Sequence, residues 1–180
     1  IDEHSHLAIS DSVNESSHAV TAEVRIGDVV DPADIGIYRA LAGGTTTAQL
    51  LHGSANPIGG QAQVIKLRWG RRAEALKLEG APPTIKLALG ENVKQSNWGA
   101  EFLTRYPQTR MGVETRIKDA LLRAKAYGEE LSRWQGLPAA EKARRLPPRR
   151  DLQAEALLEI LQGKRLMHVH SYVQSEMLML

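Results

Sequence analysis

Ile1-Asp2-Glu3-His4-Ser5-His6 opens the chain as an alternation of apolar and polar residues carrying two imidazoles two positions apart. In a β-strand, residues i and i+2 point to the same face, so both rings can reach one metal ion; a helix brings i and i+4 together instead. Alone, such a pair is a weak signal, because histidines are commonly surface or hydrogen-bonded core residues. A second copy, His168-Val169-His170, closes another apolar run near the far end of the chain and strengthens the first.

With 180 residues the chain is long enough for one domain with a sizeable core. A formal net charge of +2, mixed signs throughout and an aromatic content of 4% exclude the basic stripe of a nucleic-acid binder. There is no cysteine, so no disulfide framework or thiolate site exists, and any metal must sit on nitrogen and oxygen donors. No apolar run approaches the roughly 20 residues needed to span a bilayer. Because Ile1 already sits in a strand, the chain reads as a fragment, and its localisation is not assigned.

Outward from the opening, residues 10–31 are polar and irregular, with Ser12, Asn14, Ser16, Ser17, Gly27 and Asp28, and read as a long loop. Loops of that length in compact domains are functional or disordered. This one follows the His pair closely enough to wall a metal site, with His18 and Arg25 either touching substrate or simply solvated. Asp31-Pro32-Ala33-Asp34 is a helix-start signal, and Ile35, Tyr38, Leu41 and Ala42 recur at helical spacing until Gly43-Gly44. Residues 45–51 form a β-branched and apolar run of the kind buried in parallel sheets. His52-Gly53-Ser54-Ala55-Asn56-Pro57-Ile58-Gly59-Gly60 follows, small residues that let a backbone approach a ligand. His52 and Asn56 are therefore candidate substrate contacts, against the alternative of an ordinary glycine-rich turn.

Residues 64–69 read as a third strand, 71–78 as a short link, and Thr84-Ile85-Lys86-Leu87-Ala88-Leu89 as a fourth strand running out at Gly90-Glu91-Asn92-Val93-Lys94. Glu91, just past a strand's carboxyl end, is a metal ligand or general base, or else a solvated loop acid. Lys86 and Lys94 are pairing partners for it, a modified lysine ligand being the lesser alternative. Residues 113–134 carry the strongest helical stripe, with Ile117, Ala120, Leu121, Ala124, Leu131 and Trp134 on one side, and cover the sheet from outside. Residues 137–150, with Pro138, Pro147, Pro148 and clustered arginines, read as a solvated linker, a phosphate patch being the sharper alternative. Asp151 caps a further helix that Gly163 ends, residues 165–170 form a fifth strand, and 173–180 start another helix. Strands alternating with helices place the chain in the α/β class with a parallel sheet, wound open or into a barrel.

Between those two windings the pattern alone does not choose. Ile1-Asp2-Glu3-His4-Ser5-His6, Ala42-Gly43-Gly44-Thr45-Thr46-Thr47, Gly53-Ser54-Ala55-Asn56-Pro57-Ile58-Gly59-Gly60-Gln61, Leu89-Gly90-Glu91-Asn92, Thr109-Arg110-Met111-Gly112 and His168-Val169-His170-Ser171-Tyr172 together resemble the amidohydrolase superfamily, within it the imidazolonepropionase-like branch of metal-dependent hydrolases. The likeness runs through nearly the whole chain, and its specificity lies in the joint order of the motifs. It implies a (β/α)8 TIM barrel with catalytic residues at the carboxyl ends of the strands. Here that barrel is partial: the N-terminal five strands with their connecting helices, one incomplete domain over residues 1–180. Carried over by position, His4 and His6 resemble the first-strand metal ligands and His170 the fifth-strand ligand. Glu91 is placed at the end of the fourth strand, where the superfamily has a bridging acid, a carboxylated lysine or neither, and it doubles as the catalytic residue. His168, one layer deeper than His170, reads as a packed histidine or an outer support for the ligands.

The resemblance further implies one or two divalent ions, zinc ahead of iron or manganese, that bring a bound water towards a pKa of ~7 for hydrolysis of a carbon–nitrogen bond. The substrate is then a small molecule, a dipeptide or a non-peptide amide. The family's sixth-strand histidine and eighth-strand aspartate, with its small β-domain, fall outside the chain. The isolated fragment is therefore expected to be inactive and, with open strand edges, to aggregate or pair with another copy; the parent is expected to be a homo-oligomer. Two rivals stand beside this: a non-catalytic hydrolase-like protein that keeps the metal for structure or ligand capture, and an open α/β binding domain whose histidines belong to the core.

Overall fold

The computed structural model describes all residues except 96, 97, 100 and 102–104. Six strands are arranged in two three-stranded sheets. β1 (Asp2–Ser5), β2 (Thr47–Leu50) and β4 (Gln63–Lys66) make the first, in the order β1-β2-β4. β3 (Ile58–Gln61), β5 (Thr84–Ala88) and β6 (Leu166–His170) make the second, in the order β3-β5-β6. β1 with β2 and β5 with β6 are parallel, whereas β2 with β4 and β3 with β5 are antiparallel. The fold is therefore α/β, but the run of parallel strands expected from the sequence is interrupted by two antiparallel pairings.

Helices cover the second sheet. α3 (Arg110–Gln135) buries Val113, Ile117, Ala120 and Ala124, and α5 (Leu152–Leu161) buries Ala154, Ala156 and Leu157. These join Ile58, Ile85 and Leu87 in one hydrophobic cluster. Each large aliphatic side chain so buried contributes about 1.5–3 kcal/mol. The two helices approach closely at Gly128, where a Cβ would stand 2.6 Å from Leu158 Cδ1. Asp151 caps α5 by accepting a hydrogen bond from the Ala154 N–H at 2.9 Å, as its position before an apolar run predicts. A second cluster, with Ile37, Ala48, Leu50, Ile65 and Leu76, lies under α1 (Ile35–Ala42) and α2 (Ala73–Leu76). Short α4 (Ala139–Lys142) sits in the linker before α5, and α6 (Gln174–Met177) follows β6.

Three local departures from the sequence reading have physical causes. α1 begins at Ile35, because Asp34 accepts from the Gly36 N–H at 2.8 Å and is the effective cap, while Asp31 closes a turn on the Ala33 N–H. The glycine-rich stretch is a strand in its second half: a Cβ on Gly59 would lie 2.7 Å from His52 Nδ1, and one on Gly60 2.8 Å from Val24 Cγ2. Those glycines serve close approach of a ring and a neighbouring segment, not flexibility. The segment 10–31 is irregular, as the sequence reads, but its middle is anchored: Ala19, Val20, Thr21 and Ala22 are buried and Thr21 N–H donates to Ile58 O at 3.0 Å. Among the described residues no helix is long and apolar enough to cross a membrane.

Candidate active site

The parallel register of β5 and β6 sets Lys86 beside His168 and Ala88 beside His170. Side chains at facing positions of a parallel pair project to one side, so Lys86, His168 and His170 share a face, while Ile85 and Leu87 turn to the helices. Across from them β1 brings in His4, whose Nε2 lies 3.3 Å from Lys86 Nζ. The His4 ring stands edge-on to His6 and to His168, with centroids 5.2 and 5.1 Å apart. His6 Nδ1 lies 2.9 Å from the Leu51 carbonyl oxygen. A carbonyl only accepts, so Nδ1 carries the proton and Nε2 keeps a free lone pair. Gln49 of β2, donating to Thr84 Oγ1 at 2.8 Å, is a further link between the sheets.

Lys86 is wholly buried, at 0% exposure, and no acidic group pairs with it among the described residues. Burial pushes its ammonium pKa down. Burial, and then the positive charge of Lys86, likewise hold His4, His168 and His170 below the usual histidine value. On this face His4, His168 and His170 are biased towards the neutral imidazole and Lys86 towards the neutral, nucleophilic amine. Their nitrogens suit a divalent metal in donor type. Their arrangement is not yet a cage: among the described residues no three His, Asp or Glu side chains are grouped to hold a metal, and His4 Nε2 faces the amine. An anionic donor is what the cluster lacks.

Glu91 sits elsewhere in character. Its side chain is 51% exposed, its carboxylate pairs with Arg110 at 3.3 Å and Lys94 at 3.6 Å, and its backbone N–H donates to Tyr172 Oη. The buried charge-bearing residue of that strand is Lys86. His52 and Asn56 are buried and fully engaged. His52 donates from Nδ1 to Gly53 O and accepts at Nε2 from the Glu15 N–H, both at 2.9 Å. Asn56 donates to Glu15 O at 2.6 Å and to Thr21 Oγ1 at 2.8 Å, and accepts from Arg105 at 2.7 Å. His18 is exposed. Arg105 escaped the sequence reading entirely, since one arginine among many carries no local signal. Lys86 did carry one, as a lone charge inside the apolar run Ile85-Leu87-Ala88-Leu89.

A fold of this class with a histidine-rich inner face has relatives in both sequence and structure. The chain is 30% identical, over 200 residues and 98% of its own length, to the amidohydrolase tasK of Hapsidospora irregularis. It superposes on the crystal structure of an amidohydrolase from Thermotoga maritima MSB8 with a TM-score of 0.84 and 30% identity over 99% of its length. The chain spans 20% of the first protein and 46% of the second. No family model matches it. In sequence and fold, then, the chain is similar to amidohydrolases.

Proposed function

We propose that this chain is the imidazole-bearing part of a metal-dependent amidohydrolase of the imidazolonepropionase-like branch, its strands forming part of a (β/α)8 barrel in the complete protein. The reaction is hydrolysis of a carbon–nitrogen bond in a small molecule. The observation that carries this is Lys86, buried beside His4 and His168 on the face that also carries His170, with no acidic partner among the described residues. A protein gains nothing in stability from such a group, because desolvating an unpaired charge is costly. Its retention points to chemistry.

His4, His6 and His170 would hold the ion, and Lys86 rather than Glu91 is the better source of the missing anion. A neutral amine attacks carbon dioxide, forming an N–C bond as one C=O π bond opens and releasing a proton, to give a carbamate whose single negative charge is shared by two oxygens. A metal held there would supply a water acidic enough to attack near neutral pH. The Leu51 carbonyl fixes the His6 tautomer, and burial favours the neutral, lone-pair-donating form of His4 and His170. Glu91 then belongs to the rim, tied to Arg110 and Lys94.

The test uses the full-length protein, stripped of metal and reloaded with zinc, with and without bicarbonate, against a panel of dipeptides, cyclic amides and N-acyl amino acids. Turnover requiring zinc and abolished in the His4→Ala, His6→Ala double variant is expected. Turnover or metal content indifferent to that pair would leave only a layered α/β binding domain.

A further inference from the structure

Arg105 makes an arrangement that the chemistry above does not use. Its Nη1 donates to Ser16 O at 2.8 Å, His18 O at 3.1 Å and Asn56 Oδ1 at 2.7 Å, and its Nη2 to Ala55 O at 2.9 Å. The guanidinium also stands 5.3 Å over the Trp98 ring. No carboxylate pairs with it among the described residues, so carbonyl and amide dipoles from two separate segments solvate a partly buried cation. Only a planar fork with several fixed donors can bind so many oxygens from one position, which a lysine's single ammonium cannot.

The bonds continue inward. Asn56, held by Arg105, donates to the backbone oxygen of Glu15, whose N–H is in turn bonded to His52 Nε2. The His52 ring lies in the slot made by Gly59 and Gly60, where a Gly59 Cβ would also be 3.2 Å from the Lys86 carbonyl oxygen. Leu51, the residue before His52, supplies the carbonyl that orients His6. Arg105 is thus joined by hydrogen bonds through Asn56 and Glu15 to His52, and from His52 by the chain itself to Leu51, whose carbonyl holds His6.

We propose that Arg105 is a positioning residue that locks residues 15–21 as a rigid wall of the substrate site, so that it sets substrate affinity without touching the reacting bond. This rests on the imidazole face being the active site. The wall carries the exposed side chains of Glu15 and His18, both polar, and its Glu15 N–H is bonded to His52, the neighbour of Leu51. Glu15, Ser17 and His18 are exposed and lie outside any helix or strand, so without these bonds they would sample many conformations, and ordering them would weaken binding.

The experiment compares full-length wild type with R105Q, R105K and N56D. Hydrogen exchange is read at residues 15–21, with β5 and α3 as internal controls, and KM and kcat are read on whichever panel substrate the wild type hydrolyses. R105Q is expected to speed exchange at 15–21 by about tenfold or more with the controls unmoved. It should raise KM about tenfold while kcat stays within about twofold. R105K should fall between. N56D keeps the acceptor for Arg105 but loses the donor to Glu15 O and Thr21, so it should move both readouts the same way, and it carries the test if R105Q does not fold. Unchanged exchange at 15–21 overturns the lock. Faster exchange with unchanged KM, or a fall in kcat at constant KM, overturns the wall. Should the wild type hydrolyse nothing on the panel, the active-site reading and the wall assignment fall together, while exchange still decides whether Arg105 locks the segment.

Discussion

Ile85 and Lys86 are neighbours in β5, and each is wholly buried. The side of the strand that carries Ile85 and Leu87 meets α3 and α5 in a cluster of aliphatic groups. The opposite side carries Lys86 against the imidazoles of His4 and His168, where the buried amine is a group that water would have solvated well. One face lowers the free energy of the fold by removing apolar surface from water. The other raises it, and persists because the first can sustain the loss. The contrast teaches where in this molecule stability and chemistry are made.

The sharpest way to break that contrast is Lys86→Met in the full-length protein. If the inner face is catalytic, turnover should fall by at least the ~100-fold that loss of an outer support for a metal ligand costs. In the metal-free protein kept without bicarbonate, the thermal midpoint should stay level or rise, because an apolar side chain of similar length replaces a buried amine that has no acidic partner among the described residues. A sharp fall in the midpoint with turnover retained would reverse the assignment of the two faces. Leu87→Ala is the mirror experiment: chemical denaturation should show a loss of about 2–5 kcal/mol, while activity per folded molecule is kept.

Acidity sharpens the comparison further. Burial is the first cause holding His4, His52, His168 and His170 below their usual value of 6.5. The unfolded chain therefore binds protons that the fold refuses, so stability is complete above about 6.5 and is lost as pH falls through that value towards the folded pKa values. His52 has a geometric stake as well, because a protonated Nε2 cannot accept from the Glu15 N–H. Urea midpoints measured from about pH 7.5 down to 5 should fall, and His52→Gln should flatten the slope by up to about 1.4 kcal/mol per pH unit. An identical slope in the variant would show that His52 is not among the groups responsible. The smallest effect belongs to the solvated face of α3, where Lys118 pairs with Glu114. Lys118→Ala should change stability by no more than about 0.5 kcal/mol, and less in high salt.

How much of this was legible follows the same division. The stripe from Val113 through Ala124 announced α3, and Asp151 its neighbour's start, because helical spacing and capping are local properties. Both ends of the imidazole face were visible as His-x-His pairs at strand spacing, and the structure brings His4 into ring contact with His6 and His168. The acid was harder. Glu91 and Lys86 lie five positions apart in one stretch, and only burial and partners tell them apart: one carboxylate is neutralised by Arg110 and Lys94, the other group has an imidazole and no acid. β3 hid inside a run of glycines because the reason for those glycines, the ring of His52 and the side chain of Val24, comes from elsewhere in the chain. Arg105 stayed hidden because all its acceptors but one are backbone carbonyls, which every residue has.

By itself the sequence determined most of the helical and extended segments, β3 and the short α4 excepted, that the domain mixes both, and that histidines pair at strand spacing, since each depends on spacing within a few residues. Tertiary structure alone decided the antiparallel pairings of β3 and β4, the burial of Lys86 beside His4 with no acid against it among the described residues, and the network that joins Arg105 to His52. Those depend on the local dielectric and on partners tens of residues away, and neither is written in the neighbourhood of the residue that needs it.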